Sequence, residues 1–167
     1  MKEGDELMRY FIAEKQAGAL AAALGLLAFA FSSLLWRTGT PLRAMVWPVA
    51  LVGLVEIGVG AGLILRTDGQ GERLRKGLAS RPVETRAAEL SRMERVNRSF
   101  RVIEALEVLL FASPAALLLR ARPAWAAAGM GLLVQASVML VFDLFAERRA
   151  HAYTRWLEGL GPPGGGA

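Results

Sequence analysis

The sequence predicts an all-α fold: a four-helix transmembrane bundle whose helices extend into the cytoplasm. The 167 residues are 54% hydrophobic, with a mean hydropathy of +0.36. The apolar residues are concentrated in four blocks, and most charged residues lie between the blocks. A helix rises about 1.5 Å per residue, so roughly 20 apolar residues cover a hydrocarbon core about 30 Å thick. Blocks of this length predict membrane spans.

The four blocks predict spans at residues 17–36, 44–65, 102–119 and 123–143. The first and fourth are apolar on nearly every side, whereas the helices of a water-soluble bundle keep a charged outer face. The second is interrupted only by Glu56, and its Gly58 and Gly62 form a small-xxx-small pair that permits close helix approach. The third is long enough only if two glutamates are accommodated inside the membrane, so it is the weakest of the four.

The ends of the elements follow from local signals. The first helix is expected to begin near Asp5. The segment DGQG at residues 68–71 predicts a break after the second span. Residues 72–79 then form a short basic helix near the lipid headgroups. Ser80 is expected to cap the next helix, since serine is a favoured N-cap residue.

That next helix is predicted to continue as one rod over residues 83–119, because only Pro114 interrupts its helical character. The fourth helix is expected to run to about Leu160. A single membrane domain then covers residues 1–161, and residues 162–167 form a disordered tail.

Basic residues predict the orientation, because lysine and arginine collect in the cytoplasmic loops. Sixteen of them precede the first span, follow the fourth or lie in the loop 66–101, against four in the two other turns. Both termini and the basic loop are therefore expected on the cytoplasmic side of a bacterial inner (plasma) membrane. Anionic headgroups attract such a loop by about 1 kcal/mol per basic residue. The residues assigned to lipid or partner binding are Arg73, Arg75, Lys76, Arg92, Arg95 and Arg98.

Acidic and amide side chains inside the spans form the candidate site. An ionisable group there costs about 2.5–3.5 kcal/mol on insertion scales and faces the bundle interior or water. Counting along the helices places Glu56 about 15 Å from the cytoplasmic boundary and Gln135 within about a turn of that depth. Clustered carboxylates suit a cation or a proton relay. The predicted ion- or proton-binding residues are Glu56, Glu104, Glu107, Gln135 and Asp143.

These acids also have a structural interpretation. Glu104 and Glu107 can pair with arginines one turn away, and Glu56 can be protonated and hydrogen-bonded to Gln135, fixing only the packing. His151, two turns beyond Asp143, is either a ligand or incidental. The two interpretations make different predictions for Glu56→Gln, which abolishes function only if the carboxyl binds an ion.

Several kinds of chemistry are excluded by composition. The chain has no cysteine and one histidine, which excludes disulfides, thiolate metal sites and cysteine nucleophiles. It also lacks a phosphate-binding loop and the GxSxG and HExxH motifs. An enzymatic function would depend on carboxylates alone. We expect no cofactor other than a bound cation, and no nucleic acid, because five acids offset the ten basic residues of loop 66–101.

Three stretches carry a resemblance: LRTDGQ, then AAELSRMERVNRSFRVIEALEVLL, then GLLVQASVMLVFDLFAERRAHAYTRWLE. They resemble a group of small bacterial four-span membrane proteins without an assigned activity. The resemblance covers most of the chain. It implies that Glu56, residues 93–100 and the FDLFAERR segment belong to an arrangement that the members of this group share. The layout is also similar to small multidrug transporters, but their intramembrane acid lies in the first span, and residues 17–36 contain none.

Two functions of different classes follow. The first is a channel- or transporter-like protein with a cytoplasm-facing carboxylate site. The alternative is a non-transporting assembly subunit that docks cytoplasmic proteins or anionic lipids through its basic helical extensions. Charge reversal at Arg92, Arg95 and Arg98 should impair only the second. A homo-oligomer is expected in either case, because four short spans enclose little interior.

Overall fold

The computed structural model describes residues 2–119 and 122–160, and among these the side chains of Glu104, Glu107 and residues 2–5 lie outside the description. The chain forms four long helices and one short 3₁₀ helix. They are α1 (Lys2–Thr38), the 3₁₀ helix (Pro41–Met45), α2 (Val46–Ser80), α3 (Pro82–Leu118) and α4 (Pro123–Gly159). No strand occurs in the described ranges, so the predicted all-α fold class is confirmed. The predicted tail, residues 162–167, lies outside the described residues.

Each helix has 35 to 37 residues and is therefore about 55 Å long. This length exceeds a hydrocarbon core of about 30 Å, so each of the four is longer than a membrane crossing requires. Within the described part of the chain, three helices are long and apolar enough to cross a membrane: α1, α2 and α4. Their central segments expose large apolar side chains such as Leu26, Leu51 and Val134. By composition α3 does not qualify, which agrees with its being the weakest predicted span.

Helices α1 and α2 form a close antiparallel hairpin because glycines face each other along it. A side chain at Gly60 would meet the backbone carbonyl of Gly18, and one at Gly25 would meet that of Gly53. These four glycines recur at seven-residue spacing on each helix, which is the repeat of a coiled-coil seam. Gly58, the first residue of the predicted small-xxx-small pair, has open space beside it, and so does Gly62.

The core shared by all four helices lies toward the predicted cytoplasmic end. It contains buried apolar and aromatic side chains from each helix, among them Phe11 of α1, Leu74 of α2, Met93 of α3 and Leu157 of α4. Tyr153 of α4 lies in this core and stacks on Tyr10 of α1 with ring centroids 4.0 Å apart. The half of the bundle with the most charge therefore has the best-packed core. A smaller core around Met45, Val49 and Ala127 closes the opposite end.

The predicted break at residues 68–71 is wrong, and so is the separate short helix at residues 72–79. Helix α2 is continuous from Val46 to Ser80. Tertiary packing overrides the glycines: the buried residues Gly60, Thr67 and Leu74 continue the seven-residue seam through this segment, and the Phe11 ring lies over Gly71. The packed seam stabilises helix where propensity alone favours a turn.

The predicted capping role of Ser80 is also wrong. Ser80 is the last residue of α2, and its hydroxyl donates to the Lys76 carbonyl of its own helix at 3.0 Å. Arg81 alone connects α2 to α3, with φ −142° and ψ 69°, and Pro82 occupies the first turn of α3 as expected. The prediction of one uninterrupted rod is confirmed, since α3 runs through Pro114 to Leu118.

Candidate functional site

A buried carboxyl lies in the first half of α2. Glu56 is only 8% exposed and occupies the same seam as Gly53 and Gly60. The flanking glycines bring the α1 backbone close on one side. Glu56 therefore faces the bundle interior, as predicted from its position in an apolar span.

Gln135 of α4 is the side chain that faces Glu56. Its amide is 6% exposed and lies close enough to interact with the Glu56 carboxyl. Among the described residues, neither Glu56 Oε2 nor Gln135 Nε2 completes a hydrogen bond of good geometry. Buried polar atoms without partners are uncommon in native proteins and call for an explanation such as a bound water or ion. Glu56 and Gln135, which the sequence predicts to lie at a similar depth, are therefore neighbours in the structure.

A cavity of about 130 Å³ lies beside Glu56, between α1, α2 and α4. Asp143 and Arg149 of α4 also line it. The remaining lining is apolar, from Ala17, Ala21, Val55, Val59, Leu63, Met139, Phe142 and Ala146. Two of the predicted acids, Glu56 and Asp143, therefore share one small cavity with a basic residue, Arg149. Such a volume accommodates a few water molecules but is smaller than the roughly 300–1,000 Å³ of organic-ligand pockets.

A second cavity, of about 200 Å³, follows in the cytoplasmic direction between α1 and α4. Its lining includes Glu6, Tyr10, Tyr153 and Trp156, and it shares Arg149 with the cavity beside Glu56. The Arg149 side chain thus lies at the boundary between an inner carboxylate cavity and an outer aromatic one.

The remaining predicted acids differ in how the structure describes them. Glu104 and Glu107 belong to α3, but their side chains lie outside the described residues, so their part in the site stays a prediction. Glu147 and His151 of α4 pair with each other at 3.5 Å on a different face, along a polar groove between α3 and α4. Asn97 of α3 donates to the Thr154 hydroxyl in that groove at 3.1 Å.

Two ion pairs join α1 and α2 where the apolar segments end. Lys15 Nζ lies 2.6 Å from Asp68 Oδ2, and Arg66 Nη2 lies 3.1 Å from Glu14 Oε1. At the opposite end the Arg43 guanidinium lies 4.1 Å from the centre of the Trp36 ring, and Trp36 contacts Trp47 edge to face. From Lys15 to Trp36 is about 30 Å along α1, the thickness of a hydrocarbon core.

A polar network that the sequence did not predict lies in the core shared by the four helices. Glu89, 8% exposed, accepts two hydrogen bonds from the Arg92 guanidinium, at 2.9 and 2.6 Å. This pairing raises the pKa of Arg92. Burial, followed by the nearby Glu89 charge, raises the pKa of Tyr153. The sequence did contain a signal for Glu89. It lies four residues before the buried Met93, so both residues fall on the same face of α3.

The basic residues assigned to lipids or partners fall into two groups. Arg75 and Lys76 pair with Glu72, whose pKa they lower, and Arg92 pairs with Glu89. Arg73, Arg95 and Arg98 are exposed, and no carboxylate of the described residues lies within ion-pair distance of them. In the same part of the chain, no group of three acidic or histidine side chains is arranged to hold a metal ion.

A comparison with known protein families, curated proteins and solved structures finds no match to the chain. Any functional assignment therefore depends on the chemistry of the residues themselves. What they define is a helical protein with three helices suited to cross a membrane and a buried carboxyl-amide pair at the level of those helices.

Proposed function

We propose that the protein is a channel- or transporter-like protein of a bacterial inner membrane, with four spans, both termini cytoplasmic, and a proton- or cation-binding site at Glu56. The observation that carries the proposal is the buried Glu56–Gln135 pair beside a cavity that also contains Asp143. An ionisable side chain at membrane depth is costly and usually marks an ion or proton pathway.

The size and charge of the cavity favour a proton over other cargo. A volume of about 130 Å³ is too small for most organic substrates. A divalent cation such as Ca²⁺ needs six to eight oxygen ligands, whereas the described lining supplies two carboxyl groups, with a repelling guanidinium beside them. A proton requires only one carboxyl and a chain of waters.

The pathway runs from the cytoplasmic core toward Glu56. It begins at the outer cavity beside Tyr10 and Trp156, passes Arg149, and continues to Asp143 and Glu56. In this scheme Asp143 exchanges protons with the cytoplasmic side, and Glu56 is the deepest binding group. Gln135 donates to the Glu56 carboxylate when it is charged and accepts from it when it is protonated, because an amide carries both donor and acceptor.

Proton flux into proteoliposomes tests the proposal. A pH gradient is imposed on vesicles that contain an entrapped pH-sensitive dye, and the rate is compared with protein-free vesicles. The wild-type protein is expected to exceed that baseline, and Glu56→Gln is expected to return to it. Glu147→Gln is the matched control, because it removes an α4 carboxylate that lies outside the cavity. Full flux through Glu56→Gln would overturn the proposed site.

The alternative function is an assembly subunit that docks lipids or cytoplasmic proteins through the basic half of the bundle. The exposed Arg73, Arg95 and Arg98, without carboxylate partners in the described region, favour it. Wild-type vesicles that conduct neither protons nor alkali-metal ions would exclude the transport proposal and leave this one.

A further inference from the structure

We infer that a groove between α2 and α3 binds the phosphate of an anionic phospholipid. The groove has a volume of about 350 Å³ and opens beside the cytoplasmic core. Its polar lining comes from both helices: Gln70 and Arg73 on α2, and Thr85, Glu89, Arg92 and Arg95 on α3. Phe11 and Leu74 of the core also line it. This site is separate from the Glu56 cavity and shares no residue with it.

The groove has an excess of positive charge. Arg92 is neutralised by Glu89, which it contacts through two hydrogen bonds. Arg73 has no ion-pair partner among the described residues, and Arg95 makes only a 3.3 Å hydrogen bond to the Ser91 hydroxyl there. Two uncompensated guanidinium groups therefore flank the opening. Their planar, multiple donors suit phosphate oxygens better than a lysine ammonium does.

A buried amide adds a second, independent observation. Gln70 Oε1 is buried and has no hydrogen-bond partner within the described part of the chain. The oxygen and nitrogen ends of an amide are almost isosteric. Rotation by 180° about the last side-chain bond places the NH₂ group at this unpartnered position without changing the packing, and a donor there requires an acceptor. Gln70 and the Thr85 hydroxyl then supply neutral donors next to the two arginines.

The depth of the groove selects a lipid over a soluble phosphate compound. The Arg66–Glu14 pair marks the end of the apolar segment of α2. Gln70 and Arg73 are four and seven residues further along, so they lie about 6 and 10 Å beyond that level. A headgroup layer extends about 5–8 Å beyond the hydrocarbon core on each side. Gln70 therefore lies within the headgroup layer, and the long Arg73 side chain starts just beyond its outer edge, within reach of a lipid phosphate.

The test compares lipid retention by native mass spectrometry for the full chain in detergent. Phosphatidylglycerol and phosphatidylcholine are added separately at equal concentration. The wild-type protein is expected to retain one phosphatidylglycerol more tightly than phosphatidylcholine. The double variant Arg73→Gln, Arg95→Gln is expected to lose this preference, with an apparent affinity at least about tenfold lower. Both arginines are exposed, so the fold should be unaffected, which circular dichroism verifies.

The control is the double variant Arg75→Gln, Lys76→Gln. It removes the same charge from the same region of α2, but these side chains are exposed and paired with Glu72 outside the groove. Equal loss in both double variants would mean diffuse attraction only and would overturn the site. In a further arm, sn-glycerol 3-phosphate replaces the lipid. Retention of this headgroup fragment as strong as that of phosphatidylglycerol would reject a lipid as the ligand.

Discussion

The hydroxyl of Tyr153 on α4 donates a hydrogen bond of 3.2 Å to Oε1 of Glu89 on α3. The same carboxylate also accepts from Arg92 of its own helix. Glu89 therefore joins α3 to α4 through Tyr153 and at the same time pairs with Arg92. Tyr153 in turn stacks on Tyr10 of α1. Three of the four helices are therefore connected through polar and aromatic contacts outside the membrane segments. Buried networks of this kind are stabilising only when all their members are satisfied.

Glu89→Gln should destabilise the protein because it removes the counter-charge of Arg92. Breaking a fully buried ion pair costs about 3–5 kcal/mol. The Arg92 side chain is 24% exposed, so we expect a smaller loss of about 2–3 kcal/mol. Thermal unfolding in detergent, followed by circular dichroism, measures it. Glu94→Gln, an exposed acid on the same helix, should leave the midpoint unchanged, and equal midpoints for the two variants would contradict the prediction.

Tyr10 and Tyr153 should both resist ionisation, because burial raises the pKa of each. They are the two tyrosines of the chain, so the rise in absorbance at about 295 nm on tyrosinate formation reports on them, above the background of the four tryptophans. The unfolded chain ionises near pH 10, while the folded protein keeps both hydroxyls neutral. The stabilisation is complete below pH 10 and is lost as the pH rises above it. Tyrosinate formation should therefore coincide with unfolding; reversible titration near pH 10 in folded protein would refute this.

Gly60→Ala should loosen the α1–α2 hairpin. The added methyl group would meet the Gly18 carbonyl and the Ala22 backbone nitrogen, and backbone atoms cannot move aside without separating the helices. Overpacking of this kind costs about 1–3 kcal/mol. Gly58→Ala is the matched control, because the space beside Gly58 is open. The unfolding midpoint should fall for Gly60→Ala only, and a similar fall for both would argue against the glycine seam.

The four-span topology predicts opposite accessibility for the two ends of the bundle. The chain contains no cysteine, so single substitutions can be labelled without background. In intact cells an impermeant maleimide should label Leu42→Cys, in the 3₁₀ helix between α1 and α2, and Ala124→Cys, in the first turn of α4. It should label Ser80→Cys only after the membrane is permeabilised. Labelling of Ser80→Cys and Ala124→Cys from the same side would show that α3 does not cross.

Hydropathy was sufficient for the helices but not for their ends. The apolar blocks identified α1, α2 and α4, since an apolar run of membrane length has few alternatives to helix, and the lack of breakers other than Pro114 identified α3. The continuity of α2 was missed because DGQG is a local turn signal, whereas Phe11 over Gly71 is a contact between distant residues. Likewise, the seam glycines were identifiable only by their seven-residue recurrence, and Gly58 and Gly62 resemble them in spacing while facing open space.

For the site, depth counting was enough to match Glu56 with Gln135, because helical rise is nearly constant. Which faces meet depends on helix rotation, which a single sequence does not fix. The role of Arg149 was missed for that reason: its flanking position suggested an orientation signal, yet it lines both cavities. The stacking of Trp156 on Tyr153 in the core shared by the four helices was missed for the same reason.

The ion pairs Lys15–Asp68 and Arg66–Glu14 have a mechanical consequence for the α1–α2 hairpin. Together with the glycine seam, they prevent one helix from sliding along the other. In a thinner or thicker bilayer, hydrophobic mismatch must be relieved by tilt or by lipid deformation. We therefore expect this hairpin to tilt as one unit, so that Glu56 changes its distance from the bilayer surface together with both helices.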